Sequence, residues 1–538
     1  MDIDIRKETE NREMTISLSG RLDALSLREL EKKFEEAISE NEGISEVFIN
    51  MEDLEYISSA GLRFLLSNYK RMTAAGGNLT VVRPSEPVME VLSMTGFDNL
   101  IPIEYERTDS LLKEDHNLYP LRPNQRMMMD LHFNKASSTM MNMRTLLRLD
   151  PSLNLELFRD AINAAVQDHD IFRCHFVIDT ETGDIKQRFD GKFAEIEIED
   201  LTEEELNKTL RNLSQPYKIS ECPLWHFRLL RSGTEQYFYY DCYHAIMDGV
   251  SSVALFYRQV DRYYKELSKG KTVSELRRIR SSYAGLIRSE MASGNDNTDE
   301  AKKYWEEKLA DYTDEGYTLP ADLDEKSGEE EAEYPLDMIR KDFFHTVPYH
   351  ENEFFMGAAM LALSIAIGRK DIIMTYVHSG RTSAKEFGIM GLMLEDMVMC
   401  FDFNKDMSVN DYIAEIETTA KEDLKNRKGL ETVYERMAGL ECPEFIFQKG
   451  AIGRRGELTY GDTKAVMVPL PEDENNVNDS TVKIELNAHD DGSYSVVICY
   501  DPGSYSKPAI DDFAKTFRNV IIKMQQGKSV FEIIKEGK

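Results

Sequence analysis

Across residues 1–105 the apolar positions switch repeatedly between a period of two and a period near 3.6. Met14 to Leu18 alternates as a strand does. Leu27, Leu30, Phe34 and Ile38 then fall on one face of a helix, opened by the Ser26–Glu29 pattern of a capping box. Val47-Phe48-Ile49 predicts a short buried strand, and Leu62, Leu65, Leu66 and Tyr69 a second helix. Leu79 to Val82 predicts another strand, and Val88 to Met94 a short closing helix. Strands alternating with helices predict a sheet covered by helices, an α/β unit.

Glu106 to Asn117 is polar and charged and predicts a linker. Beyond it, Tyr237 to Cys242 is an alternating aromatic strand. It runs into Tyr243-His244-Ala245-Ile246-Met247-Asp248-Gly249 and then an amphipathic stretch, Val253 to Tyr257. Phe354 to Ile367 predicts a buried helix, Ile372 to Tyr376 a strand. A last strand before Tyr500-Asp501-Pro502 leads to a helix with Ile510, Phe513 and Phe517 on one side. The acidic stretch Asp311 to Pro335 predicts a solvated loop joining two halves, and Pro469 to Thr481 another polar loop. The organisation expected is therefore three units, 1–105, 117–300 and 301–538.

Composition narrows the function. The chain has 97 acidic against 65 basic residues, a formal net charge of −32, so nucleic acid and anionic membrane surfaces are disfavoured partners. The opening MDIDIRKETE has no apolar core of a signal peptide, and Phe354 to Gly368 is too short to span a bilayer. Six cysteines without a CxxC pair predict reduced thiols and a cytoplasmic protein. His132, His169, His175 and His378 have no metal-ligand spacing, so no metal and no cofactor is expected.

The chemistry concentrates at Tyr243 to Gly249. A histidine at a strand exit, four residues before Asp-Gly, can be held by local backbone, with Gly249 permitting a tight turn. The segment resembles the HHxxxDG motif of the condensation-domain superfamily, which includes relatives of chloramphenicol acetyltransferase. His244, Asp248 and Gly249 match, and Tyr243 replaces the first histidine. Other motifs follow in the family's order. They are LRPNQRMMMDL (Leu121–Leu131), DHDIFRCHF (Asp168–Phe176, keeping His169, Arg173 and Phe176), PLWHFRLL, Tyr304-Trp305 and VHSGRT (Val377–Thr382). GLMLEDMVM (Gly391–Met399) stands where GFFVNTLPL is usual, so Glu395-Asp396 replaces Asn-Thr and would set charge near a substrate tunnel.

The resemblance implies a CAT-like pseudodimer of two α/β lobes with His244 facing a tunnel between them, donor and acceptor entering from opposite faces. His244 would be the catalytic base, since imidazole titrates near the working pH. Asp248 would be structural, and its natural partner is Arg173 or Arg381. Tyr243 would pack, or hydrogen-bond to the loop. Methionines such as Met127 to Met129 would pack the core or line an adaptable acyl channel. No adenylation signature and no carrier-type serine motif is present. The expected acyl donor therefore rides on the phosphopantetheine of a separate acyl or peptidyl carrier protein, or on coenzyme A.

In the N-terminal unit, DLEYISSAGLRFLL (Asp53–Leu66) resembles the STAS domain of anti-sigma-factor antagonists. That resemblance implies phosphorylation at Ser59, with Ser58 in place of the preceding aspartate, and an anti-sigma factor or serine kinase as partner. A serine at a helix N-terminus suits a phosphate, and equally a plain helix cap. The leading expectation is an acyltransferase forming an amide or ester, carrying a STAS regulatory domain. The alternative is a non-enzymatic anti-sigma factor antagonist whose second unit is a degenerate binding module.

Overall fold

The computed structural model describes residues 2–8, 12–22, 26–39, 44–94, 97, 101–104, 115–134, 138–292, 298–312, 316–324, 328–437, 441–449, 457–470, 482–489 and 491–537. The expected linker therefore lies outside the described residues except for 115–117, as does most of the Pro469–Thr481 loop.

The N-terminal sheet runs in the order β1 (Asp2–Glu8), β2 (Glu13–Leu22), β3 (Glu46–Ile57), β4 (Asn78–Val82) and β5 (Ile103–Glu104). The first pair is antiparallel and the others parallel. Parallel pairing demands crossovers, which the Ser26–Ser39, Ser59–Ala74 and Glu86–Met94 helices help to supply. The expected alternation holds: Met14, Ile16 and Leu18 are buried against Leu30, Phe34, Leu62 and Leu65.

The rest of the chain builds two larger sheets and a small one. The small sheet is β6 (Asp115–Pro120), β8 (His175–Ile178) and β9 (Ile185–Phe189). The first large sheet gathers β7 (Asn142–Leu149), β10 (Ile198–Asp200), β11 (Arg228–Ser232) and β12 (Glu235–Tyr243) in the order β10-β11-β12-β7. The second runs β13 (Glu330–Pro335), β20 (Tyr494–Tyr500), β19 (Lys483–Ala488), β16 (Glu444–Lys449), β14 (Asp371–His378), β15 (Glu395–Asp402). Two late strands, β17 (Glu457–Tyr460) and β18 (Thr463–Val468), leave the second half and complete the first sheet by pairing β18 with β7. The acidic stretch 311–335 is not all loop. Glu330–Pro335 forms the edge strand β13, paired antiparallel with β20, because an edge needs only one satisfied side and tolerates charge.

Each large sheet is covered on one face by helices. Leu155–Gln167 and Tyr257–Ser268 pack on the first, Glu351–Ile367 and Lys507–Gln525 on the second. The Glu351–Ile367 helix is enclosed on every side from Phe354 to Ser364, as its apolar sequence predicted. The N-terminal unit meets both halves. Its Glu86–Met94 helix packs against the short Ala384–Phe387 helix, and the Arg277 guanidinium lies 5.9 Å over the Tyr69 ring.

Candidate active site

Strand β12 delivers Tyr243 and stops. His244 keeps the chain in place by donating its backbone N–H to the Met141 carbonyl at 2.8 Å. The turn ends in a π-helical segment, Val250–Phe256, continued by the Tyr257–Ser268 helix. Gly249 has right-handed helical angles, φ −61° and ψ −36°, so the turn does not call on glycine's conformational freedom as expected. That freedom is used at Gly391, where φ is +153° and an added Cβ would lie 2.3 Å from the Tyr283 ring.

Asp248 organises the site. Its carboxylate accepts Ser251 N–H at 2.7 Å, Met393 N–H at 2.8 Å and Leu394 N–H at 3.2 Å. Arg381 grips both oxygens, at 3.0 and 3.3 Å, and donates to the Ser251 hydroxyl at 2.6 Å. Burial pushes the Asp248 carboxyl up, but Arg381 and the Ser251 and Met393 amides pull harder and hold it below the usual carboxylate range. Of the two arginines expected as its partner, the structure selects Arg381. Arg173 instead donates to the Gly191 carbonyl at 2.8 Å and lies over the Phe193 ring.

The same residues clasp the two halves together. Gly391 exchanges hydrogen bonds with the Ser251 hydroxyl. Tyr283 and Arg122 donate to the Leu392 carbonyl, and Asn124 to Leu394.

His244 is partly exposed, with its Nδ1 enclosed and without a well-formed hydrogen bond among the described residues. Burial holds the imidazole below its ordinary pKa, so it is neutral near pH 7. With Nδ1 enclosed, Nε2 is the ring nitrogen left facing outward. Among the charges acting on it is the Lys483 ammonium of the opposite half.

Tyr243 is fully buried, edge-on to His132 with ring centres 5.5 Å apart and its hydroxyl 3.9 Å from the Met129 sulfur. It packs. His169 is structural as well, with its ring nitrogens 2.8 Å from the Ser281 hydroxyl and 2.9 Å from Gln259. Met128, Met129, Met393, Met397 and Met399 are core residues.

Glu395 faces Arg122 across the two halves, and Asp396 follows it on β15. Glu395 lies 3.6 Å from Arg122, and burial, opposed by Arg122 and Arg427, pushes its carboxyl up to about 7. Asp396 is likewise pushed up to about 7, by burial and by Glu444. Glu444 and Lys483 escaped the sequence reading. Their signal was polar alternation, complete in Lys483-Glu485-Asn487 and interrupted by Ile446 between Glu444 and Gln448, in strands a two-faced core would make apolar throughout.

No group of three or more His, Cys, Asp or Glu side chains able to hold a metal occurs among the described residues. None of the described helices is long and apolar enough to cross a membrane.

Comparison with known families identifies the domains. The model of the Condensation domain matches residues 115–531. The chain belongs to the condensation-domain family. Residues 4–109 match the STAS domain model, so the protein joins a STAS domain to a condensation domain. Surfactin synthase subunit 1 of Bacillus subtilis (strain 168) is 25% identical over 322 residues, 57% of this chain and 9% of that protein. Tyrocidine synthase 3 of Brevibacillus parabrevis is 29% identical over 161 residues, 30% of this chain and 2% of that protein. The condensation domain here thus spans under a tenth of the length of these curated relatives. Among solved structures, the starter condensation domain of rhizomide synthetase RzmA superposes with a TM-score of 0.61 at 15% identity, covering 76% of this chain and 97% of that one. The X-domain in its complex with OxyB from teicoplanin biosynthesis gives 0.63 at 14% identity, over 80% and 98%. These structures share the two-lobed fold.

Proposed function

We propose that the condensation domain transfers an acyl group from a thioester to an amine or alcohol, with His244 as general base. The observation that carries this reading is a neutral imidazole whose Nδ1 is enclosed, on a loop fixed by the Asp248–Arg381 pair. The acceptor's lone pair attacks the thioester carbonyl carbon while His244 Nε2 takes its proton. The C–S bond then breaks, and the leaving thiolate is protonated by the imidazolium, giving amide or ester plus free thiol. The donor would be carried on a carrier-protein phosphopantetheine or on coenzyme A. A solved relative holds C8-CoA in its complex, which supports that donor class.

The test incubates the purified protein with acyl-loaded carrier proteins, or acyl-CoA, and a panel of amines and alcohols. His244→Ala should lower product formation by about 10²-fold or more with an unchanged thermal melt. Equal turnover by both proteins would remove His244 from the chemistry.

A second reading is regulatory. In it the N-terminal domain is a phospho-switch for an anti-sigma factor or serine kinase, and the condensation domain binds a ligand without turning it over. What favours it is a surface pocket of about 680 Å³ beside the Ser58–Gly61 loop, lined by Leu27, Glu31, Ala60, Arg63, Phe64 and Ser67. A partner helix or loop fits such a groove.

A further inference from the structure

A cavity of about 730 Å³ lies between the STAS domain and the first half of the condensation domain. Domain junctions and volumes of this order are usual for small-molecule sites. Glu13, Glu46, Asn78 and Tyr69 line its STAS wall, and Lys269, Lys271 and Arg277 line the other. Each wall is fixed by its own local structure. Glu13 and Glu46 are direct neighbours across β2 and β3, and the Asn78 amide donates to Glu46 at 3.2 Å. On the far wall Thr272 and Glu275 close a capping box, and Arg278 is anchored on the Asp168 carboxylate at 2.8 and 2.9 Å.

Arg277 is the group this arrangement leaves unmatched. One carboxylate, Glu266, serves three cations. Lys271 Nζ donates to it at 3.1 Å, Arg262 Nε lies 3.5 Å away, and Arg277 reaches it with its backbone N–H, at 3.2 Å. The Arg277 guanidinium lies 5.9 Å over the Tyr69 ring instead, and its Nη2 is enclosed with no hydrogen-bond acceptor among the described residues. Arg262 Nη2 is in the same condition. Asp168 brings no relief, because Arg278 and Arg280 hold it. Burial and the Arg262 guanidinium pull the Arg277 pKa down to about 9, against the opposing pull of Tyr69 and Glu266. An enclosed cation beside a second cation is costly to a fold, and an anion delivered to the cavity would offset that cost.

We infer that this cavity binds a small phosphate monoester, with the phosphate on Arg277 and the rest of the molecule towards Glu13 and Glu46. Charge decides both ends. Arg262, Lys271 and Arg277 exceed Glu266 by two positive charges. A phosphate, at about −1.5 to −2 near neutral pH, matches that excess, and a single carboxylate does not. Glu13 and Glu46 would repel a second anionic group. The far end of the ligand is therefore neutral or cationic, with hydroxyl or amino groups to donate. Since each domain supplies one wall, the bound ligand also holds the STAS domain on the condensation domain. The site uses none of the residues around His244 and stands apart from acyl transfer.

The test titrates the full-length protein with phosphoethanolamine, ethanolamine and fructose 1,6-bisphosphate by calorimetry, in wild type, Arg277→Gln and Glu46→Gln. Wild type is expected to bind phosphoethanolamine about tenfold or more tighter than either other probe. Arg277→Gln should weaken it by about tenfold or more, yet melt no lower than wild type in the absence of ligand, because the fold leaves that charge unmatched. An arginine with a purely structural role would show the reverse, a lower melt. Glu46→Gln should narrow the gap between phosphoethanolamine and the bisphosphate. The three-probe comparison on wild type stands even if a variant fails to fold. No phosphoethanolamine binding, ethanolamine or the bisphosphate binding as tightly, or Arg277→Gln that melts lower and binds unchanged would overturn the site.

Discussion

Two kinds of buried carboxyl meet at the site, and they respond to pH in opposite directions. Asp248 has a folded pKa below its unfolded one, because Arg381 and two backbone amides outweigh burial. Its contribution to stability is present above the unfolded value of about 4 and is lost as the pH falls through the folded pKa. Glu395 and Asp396 are raised to about 7. Their protonated forms suit the fold, so that contribution is present below about pH 4 and drains away as the pH climbs towards 7. Glu395→Gln should therefore raise the urea midpoint at pH 8 and leave it nearly unchanged at pH 4. Asp248→Asn should lower the midpoint at pH 8 and lose less at pH 3. Midpoints measured from pH 3 to 8 check both. A Glu395→Gln effect equal at the two ends would show that its carboxyl is not strained by burial.

At the scale of elements, the Ser59–Ala74 helix shows what its sequence motif does locally. Ser58 is the N-cap, with its hydroxyl accepting Gly61 N–H at 3.3 Å, and Ser59 is the first helical residue. Gly61 is needed for fit, because a Cβ there would lie 2.8 Å from Ile57 and 3.0 Å from Leu22. A phosphate on Ser59 would add about −1.5 to −2 charges against any docked partner. On the regulatory reading, Ser59→Glu should abolish partner recovery from extract while Ser59→Ala retains it; an unchanged partner set would reduce the loop to a helix cap.

The elements also show what the sequence made legible. Local signals sufficed for the His244 turn, the aromatic strand β12 and the strand–helix alternation of the first domain, since each is written in consecutive residues. Choosing Arg381 over Arg173 was not possible, because both arginines are buried and the deciding contact joins residues 133 positions apart. Glu444 and Lys483 were missed for the same reason, and β13 because a run of glutamates looks like solvent-facing loop until a partner strand is known.

On the scale of the whole molecule, the two halves of the condensation domain are not sequential blocks. The chain completes its first large sheet only after β13, β14, β15 and β16 of the second have been made, when β17 and β18 return to pair with β7. Lock and key are cut from one ribbon, so the order of synthesis matters. A nascent chain that has emerged only to residue 300 still lacks the neighbour of Leu146 to Leu149, and presents β7 as a bare row of N–H and C=O groups. Such an intermediate invites pairing with another chain. A fragment ending at residue 300 should therefore associate on gel filtration. Supplying residues 301–538 in trans during refolding should rescue it as a soluble 1:1 complex. A monomeric, soluble 117–300 fragment would mean that β7 tolerates the vacancy and that the returning strands serve only to tie the lobes.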